Sequence, residues 1–175
     1  MWATKNLQNW HALFVPTGKE ESIKETLENF WGDQLQFMVP KRVLKERKEG
    51  QWHRVKRILF PGYILVKGHI TSHIYYRIKQ APVAARLLKN EDGPQEIEQR
   101  ELKILKILIE NEDGEVGIST AYRENDKVVI NSGPLLGLEG YIQNIDKRKG
   151  RAKVNIEFLG ETKTVQLGID FMEKI

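Results

Sequence analysis

The residues most able to do chemistry lie in one stretch, NSGPLLGLEGYIQNIDKRKGRAK, between Asn131 and Lys153. Its second half places five cations within seven residues, a local density that favours contact with phosphates. These cations, called the basic tip below, are Lys147, Arg148, Lys149, Arg151 and Lys153. Gly150 lies among them as a turn residue, which predicts a β-hairpin with its charges turned outward. A solvated loop without a ligand is the alternative.

The first half of the stretch contains three glycines, at positions 133, 137 and 140, which raises the question of a phosphate-binding loop. A P-loop requires lysine and a hydroxyl residue directly after its last glycine. Here the three glycines are followed by proline, leucine and tyrosine, and no GxGxxG pattern is present. Apolar residues alternate with these glycines, so they predict tight turns in a small β-barrel.

Catalytic and metal-binding motifs are missing from the sequence. The histidines at positions 11, 53, 69 and 73 lack HExxH or other paired-ligand spacing, and the chain has no cysteine. There is no GxSxG motif, and no carboxylate pair lies in a recognisable setting. We therefore expect a binding protein without a metal or cofactor; a small nucleic-acid-modifying enzyme is the competing class.

A second group of cations occupies Lys41–Arg57, where eight Lys and Arg residues stand against two Glu. Glu49-Gly50 near its middle predicts an exposed β-hairpin, with one continuous helix as the alternative. Trp52 and His53 lie among these cations. Their rings are suited to stacking on a nucleobase, and equally to packing on a sheet.

Hydrophobic spacing indicates the elements that position these segments. Ile23, Leu27, Phe30 and Trp31 lie on one face of a helix that ends at Gly32. Strands are predicted at Trp10–Val15, Phe37–Val39, Tyr63–Val66 and Val83–Leu88, and helices at Lys19–Trp31, Ser72–Lys79 (capped by Ser72) and Ile97–Glu110. This alternation predicts an α+β domain.

The character of the sequence changes after the last predicted helix. Residues 111–120, NEDGEVGIST, are acidic and lack an apolar period, which predicts a flexible linker. Short apolar runs then follow one another between glycine or charged turns, which predicts a small β-barrel. The chain of 175 residues thus accommodates two small domains.

The overall charge is close to balanced, with 28 basic against 24 acidic residues. Positive charge therefore matters only where it clusters. The N-terminus lacks a signal-peptide apolar region, and no apolar run reaches the length of a membrane span. A cytoplasmic monomer is expected.

The order of these motifs resembles the NusG family of transcription factors. WHALFVPTGKEESIKETLE and LFPGYILV (Leu59–Val66) are similar to the opening and the signature strand of the family's N-terminal NGN domain. DKVVI with the following SGP resembles a KOW motif, and FLGETKTVQLGIDFMEKI resembles the end of a KOW barrel. The resemblance implies an NGN domain at 8–110, with an antiparallel sheet flanked by helices. The resemblance further implies a flexible linker at 111–120 and a small KOW β-barrel at 121–175.

The resemblance also implies a partner for the NGN domain, RNA polymerase. In the family this domain contacts the clamp helices of the β′ subunit and the gate loop of the β subunit. The matching positions here are Phe60, Tyr63 and Leu65 in the signature strand and His73, Ile74, Tyr75 and Tyr76 in the next helix. Packing in the core is the alternative role for all of them.

For the KOW domain the resemblance leaves two roles open. The basic tip looks most like the LoaP group of specialised antiterminators, which implies binding of a nascent RNA hairpin, with Asn131, Ser132 and Lys163 as further contacts. A general NusG-type elongation factor instead recruits ribosomal protein S10 or the terminator Rho. In either case upstream or non-template DNA is an expected neighbour of Arg47, Lys48, Trp52 and Arg54, with a mobile hairpin that only increases solubility as the alternative.

Overall fold

The computed structural model describes residues 9–90, 93–109 and 114–172. Its elements confirm the predicted α+β class, because three helices accompany a majority of strands within these ranges. The chain divides into two compact units. The first unit contains the residues up to Pro40 together with Phe60–Glu98, and the second contains Lys41–Leu59 together with the chain from Gln99 onward.

The elements are numbered in chain order. The helices are α1 (Glu20–Trp31), α2 (Ser72–Gln80) and α3 (Gln99–Leu108). The strands are β1 (Trp10–Phe14), β2 (Gln36–Met38), β3 (Lys41–Lys48), β4 (Gln51–Ile58), β5 (Tyr63–Lys67), β6 (Arg86–Leu87), β7 (Lys89–Asn90), β8 (Gly93–Pro94), β9 (Glu115–Val116), β10 (Ser119–Glu124), β11 (Lys127–Ser132), β12 (Ile142–Asp146), β13 (Arg151–Phe158) and β14 (Glu161–Phe171).

The first unit is built on a four-stranded sheet in the order β2-β5-β1-β6. β5 is antiparallel to both β1 and β2, and its Ile64, Leu65 and Val66 are fully buried. Such a continuous apolar run is typical of a strand covered on both faces. On α1, the predicted inward face is confirmed for Ile23, Leu27 and Trp31.

Phe30 was predicted on the inward face of α1, and this is wrong, because its side chain is 48% exposed. The buried stripe follows the i, i+4, i+8 spacing of Ile23, Leu27 and Trp31, and Phe30 falls at its edge. The Phe30 ring instead contacts the ring of Trp31, with 5.4 Å between centroids.

A buried carboxylate ties α1 to the loop that precedes β5. Glu20 accepts hydrogen bonds from the backbone N–H of Gly18 at 2.7 Å and of Gly62 at 2.9 Å. Burial raises the pKa of this carboxyl, but the backbone N–H groups of Gly62, Glu20 itself and Gly18 outweigh burial and hold the pKa below its ordinary value. The ionised form therefore stabilises the fold.

The second unit contains a curled five-stranded sheet in the order β11-β10-β14-β13-β12. On β13, Ala152, Val154, Ile156 and Phe158 alternate inward and are almost completely buried. Helix α3 is attached to this sheet by Glu101, whose carboxylate accepts from the backbone N–H of Leu159 at 3.2 Å and Gly160 at 3.0 Å.

Several boundaries differ from the sequence predictions. Within the predicted linker, Asn111–Asp113 lie outside the described residues. Its later part is ordered, because Glu115–Val116 pairs with β3 and the buried Ser119 Oγ accepts from Leu135 N at 3.0 Å. The cap of α2 is Thr71 rather than Ser72, since the Thr71 hydroxyl accepts from Ile74 N.

The compact units also differ from the predicted domains. The hairpin β3–β4 and helix α3 were expected in the N-terminal domain, but their contacts place them with the C-terminal sheet. The predicted strand Val83–Leu88 is shorter, with strand structure at Arg86–Leu87. None of the helices among the described residues is long and apolar enough to cross a membrane.

Candidate nucleic-acid interface

The turn of the basic tip is tight and well defined. Asp146 accepts two hydrogen bonds, from Gly150 N to its carbonyl oxygen and from Lys149 N to its Oδ1, both at 2.9 Å. Gly150 has a φ of +68°, and a Cβ at this position would lie 2.9 Å from the Ile169 carbonyl oxygen. Glycine is therefore required here for both conformation and space.

The three cations within the turn, Lys147, Arg148 and Lys149, are exposed. Lys147 Nζ lies 5.6 Å from the centroid of the Phe171 ring, within the range of a cation–π contact. Lys153 is also exposed, whereas Arg151 is partly buried and donates from Nη2 to the Lys45 carbonyl oxygen at 3.4 Å. The turn thus presents three cations to solvent, and Arg151 helps to hold its base.

The basic hairpin β3–β4 packs on strand β14 of the same unit. Arg42 Nη1 donates to the Gln166 carbonyl oxygen at 2.6 Å, and Lys45 Nζ lies 2.7 Å from Asp170 Oδ1. The backbones approach closely at Gly168, where a Cβ would lie 2.6 Å from the Val43 carbonyl oxygen. The antiparallel pairing of β3 with β4 confirms the predicted hairpin. Its contacts with β14 hold it beside the basic tip.

Replacing Gly168 with alanine is expected to lower the free energy of unfolding by about 1–3 kcal/mol, because the new methyl group meets a backbone carbonyl that cannot rotate away. Denaturant unfolding measures this change. Gly117→Ala is the matched control, since a Cβ there has no neighbour within 4 Å. An equal effect of both substitutions would show that the close approach at Gly168 does not matter.

Two arginines beneath the tip create a concentrated positive potential. Burial lowers the pKa of Arg42, and the neighbouring positive charges of Arg151 and Arg57 lower it further, while Glu46 opposes them. The Nε atoms of Arg42 and Arg151 are buried without a hydrogen-bond partner among the described residues. A bound anion nearby would offset this repulsion.

The hairpin and the tip enclose a cleft of about 200 Å³, called the tip cleft here. Trp52 on β4 lines it with 51% of its surface exposed. The other lining residues are Lys45, Lys147, Arg148, Lys149, Gly150, Ile169 and Asp170. Four of these are cations, and the one carboxylate, Asp170, is paired with Lys45.

The other residues predicted to bind RNA lie at different distances from the tip. Lys163 is opposite Ile156, five pairs along β13 from Arg151, which corresponds to about 17 Å. Asn131 and Ser132 lie exposed on β11, and both contact the Thr120 hydroxyl. Ser132 pairs with Thr120, which pairs in turn with Asp170 of the tip cleft, so Ser132 lies two strands from that residue. A role of Asn131 and Ser132 in RNA binding stays a prediction.

Three residues predicted to touch RNA polymerase are buried in the first unit. Leu65 is 0% exposed, and Phe60 and Ile74 are also core residues, which favours the alternative role of core packing for all three. Leu65 lies inside the sheet, where it pairs with Ala12 and Met38. Phe60 lies in the loop before β5, and Ile74 lies on the buried face of α2. Tyr63 is partly exposed, with its ring 4.7 Å from that of Phe14.

The remaining predicted polymerase residues lie on α2. His73 and Tyr76 are exposed, and Tyr75 is partly exposed. Tyr75 also lines a groove of about 370 Å³ between α2 and the chain around β6. Its other lining residues are Ile78, Lys79, Ala85, Arg86, Leu87 and Leu88, which sequence reasoning did not select.

The four residues predicted to contact DNA, Arg47, Lys48, Trp52 and Arg54, are all exposed on the hairpin. Sequence reasoning treated this hairpin and the basic tip as two separate sites. The available signal was Gly168, a glycine inside a strand-like run, which indicates close approach of another backbone. It gives no indication of which backbone approaches.

His11 belongs to the core of the first unit. Its side chain is buried, and its Nδ1 lies 3.1 Å from the Gln95 carbonyl oxygen. Burial lowers the pKa of its imidazole, against the opposing effects of this hydrogen bond and of Glu96. No group of three or more potential metal ligands occurs among residues 9–90, 93–109 and 114–172.

Comparison with known proteins gives consistent matches. Residues 8–106 match the family model described as transcription termination factor NusG. The chain is 25% identical to the termination/antitermination protein NusG of Rickettsia felis, covering 97% of this chain and 92% of that protein. It is also 25% identical to NusG of Haemophilus influenzae, with 98% and 97% covered. A solved structure of Thermotoga maritima NusG superposes with a TM-score of 0.51 at 20% identity, covering 91% and 93%.

Proposed function

The chain belongs to the NusG family of transcription termination and antitermination factors, and we propose that it is a specialised antiterminator of the LoaP type. In this proposal the NGN domain, residues 8–110, binds RNA polymerase. The KOW domain, residues 121–175, binds a hairpin in the nascent leader RNA through its basic tip. Holding both partners together promotes readthrough of terminators.

The observation that carries the RNA assignment is the exposed turn Lys147–Lys149 above Arg42 and Arg151. Exposed cations on a small β-barrel are a common way of contacting a phosphate backbone. The test is selection of stem-loops from a random RNA library on the full-length protein. Enrichment of a stem-loop that binds much more tightly than its scrambled sequence is expected, and no enrichment would overturn the assignment.

Binding of the selected stem-loop is expected to weaken steeply with salt. If about four phosphates are contacted, the logarithm of the association constant falls against the logarithm of salt concentration with a slope of roughly −3. Fluorescence anisotropy across a salt series measures this slope. A slope close to zero would mean that apolar contacts, rather than the cations, provide the affinity.

The polymerase surface in this proposal consists of the exposed residues of the first unit. Tyr63, His73, Tyr75 and Tyr76 remain from the predicted set, and the groove beside α2 adds a largely apolar depression. An exposed apolar surface with a polar rim suits a protein partner. We place the clamp helices of the β′ subunit and the gate loop of the β subunit here. Upstream or non-template DNA remains the proposed partner of Arg47, Lys48 and Arg54.

A second candidate function has its own observation. Leu136 and Tyr141 of the second unit are 53% and 43% exposed, which suits recruitment of a protein such as ribosomal protein S10 or Rho. Salt-insensitive capture of either protein, together with no RNA preference, would favour this general NusG role over the antiterminator.

A further inference from the structure

The tip cleft combines two features that a phosphate contact alone does not require. One wall of the cleft consists of Lys147, Arg148 and Lys149. The other wall is the hairpin β3–β4, where the indole of Trp52 is about half exposed. A backbone-binding surface needs the cations but gains nothing from an indole held in water. An exposed aromatic ring beside cations is the arrangement that proteins use to stack an unpaired base while holding its phosphates.

The backbone of Trp52 is held by the hairpin β3–β4. It is paired with Arg47 in a hairpin whose eight residue pairs run without interruption from Lys41 opposite Ile58 to Lys48 opposite Gln51. The hairpin is attached to β14 through Lys45 and Asp170 and through the close approach at Gly168. The backbone that carries the indole is therefore already ordered before a ligand binds, which lowers the entropic cost of binding.

The charges of the cleft specify an anionic occupant. Asp170 faces Lys45 at 2.7 Å, so the carboxylate and that ammonium group largely offset each other. The turn cations Lys147–Lys149 are exposed beside them. The cleft suits a ligand with a planar, uncharged group that stacks on the indole and one or two negative groups that contact the turn cations. A nucleotide within a chain has both kinds of group.

We propose that the tip cleft binds an unpaired nucleotide of RNA, with its base stacked on Trp52 and its flanking phosphates against Lys147–Lys149. This inference rests on the proposed RNA binding and extends it from charge recognition to recognition of a single-stranded position. The hairpin β3–β4 is then part of the RNA site.

The test compares two probes that carry equal charge. One is a short oligouridine, and the other is an abasic ribose-phosphate oligomer of the same length. Full-length protein is expected to bind oligouridine more tightly. Trp52→Ala should reduce oligouridine affinity by roughly tenfold and leave the abasic affinity unchanged, whereas Trp52→Phe should retain most of the preference. Phe30→Ala, which removes an exposed ring from the first unit, is the matched control.

The outcomes separate this inference from the proposed function. If Trp52→Ala leaves oligouridine binding unchanged while alanine at Lys147, Arg148 and Lys149 weakens both probes, stacking is overturned and RNA binding stands. If the triple variant also binds both probes like the original protein, the basic tip is not the RNA site and both ideas fail. Tenfold tighter binding of oligodeoxyuridine would assign the cleft to DNA and overturn the RNA assignment.

Discussion

Replacing Lys147, Arg148 and Lys149 together with alanine is expected to weaken binding of the selected RNA stem-loop by roughly 100-fold at 0.1 M salt, because three phosphate contacts and their released counterions are lost. The salt slope should fall by about 2 at the same time. Arg151 is left in place, since it donates to the Lys45 carbonyl oxygen and its removal would disturb the hairpin. Anisotropy titrations measure both quantities.

The control for this variant changes the net charge equally at another surface of the same unit. Lys103, Lys106 and Lys127 are exposed, and alanine at all three should reduce RNA affinity only slightly. Equal losses from the two triple variants would indicate a general charge effect and contradict a localised site. Unchanged far-UV circular dichroism of both variants would show that folding is retained.

Replacing Glu20 with glutamine is expected to lower the free energy of unfolding by about 2–3 kcal/mol at neutral pH, which is the second large effect we predict. The carboxylate accepts from the N–H groups of Gly18 and Gly62. A neutral amide has one acceptor oxygen for two donors and loses the charge-assisted strength of both bonds. Denaturant unfolding followed by fluorescence of the buried Trp10 and Trp31, in the same unit, measures this change.

The effect of Glu20→Gln should depend on pH in a definite direction. Because the pKa of Glu20 lies below its ordinary value of 4.5 in the folded protein, the carboxylate contributes its full stability above that pH. The contribution is lost as pH falls through the folded pKa, so the difference between the two proteins should shrink below about pH 4.5. Glu25→Gln, on the exposed face of α1, should change stability by less than about 0.5 kcal/mol. A pH-independent difference would contradict the role of the charge.

Many elements of the fold can be predicted from local sequence patterns, but the contacts between distant residues cannot. The helical stripe of Ile23, Leu27 and Trp31 and the continuous apolar run of β5 are local signals, and both elements occur as predicted. Periodicity does not decide whether the flank of a stripe is covered, which is why Phe30 was misplaced. The lack of an apolar period also predicts a linker at 111–120. In the structure, however, Ser119 is buried and accepts a hydrogen bond from Leu135, which lies 16 positions away.

The candidate site was predictable in composition but not in assembly. The turn at Gly150 and its cations are visible in the sequence because charge density and turn chemistry are local properties. The contact of Arg42 with Gln166 joins residues 124 positions apart, and no local pattern specifies such a partner. Burial of Phe60 and Leu65 likewise depends on residues distant in the sequence, so a motif match could not decide between a partner surface and the core.

The attachment of the basic hairpin to β14 has a consequence for exchange of parts between relatives. The tip cleft combines Lys45 and Trp52 of the hairpin with Lys147–Lys149, so residues 121–175 alone contain only part of it. Transplanting residues 121–175 onto another NusG protein would carry the cations and leave the indole behind. Such a chimera would inherit attraction for polyanions but not the choice of ligand, and specificity would be regained only by moving both segments together.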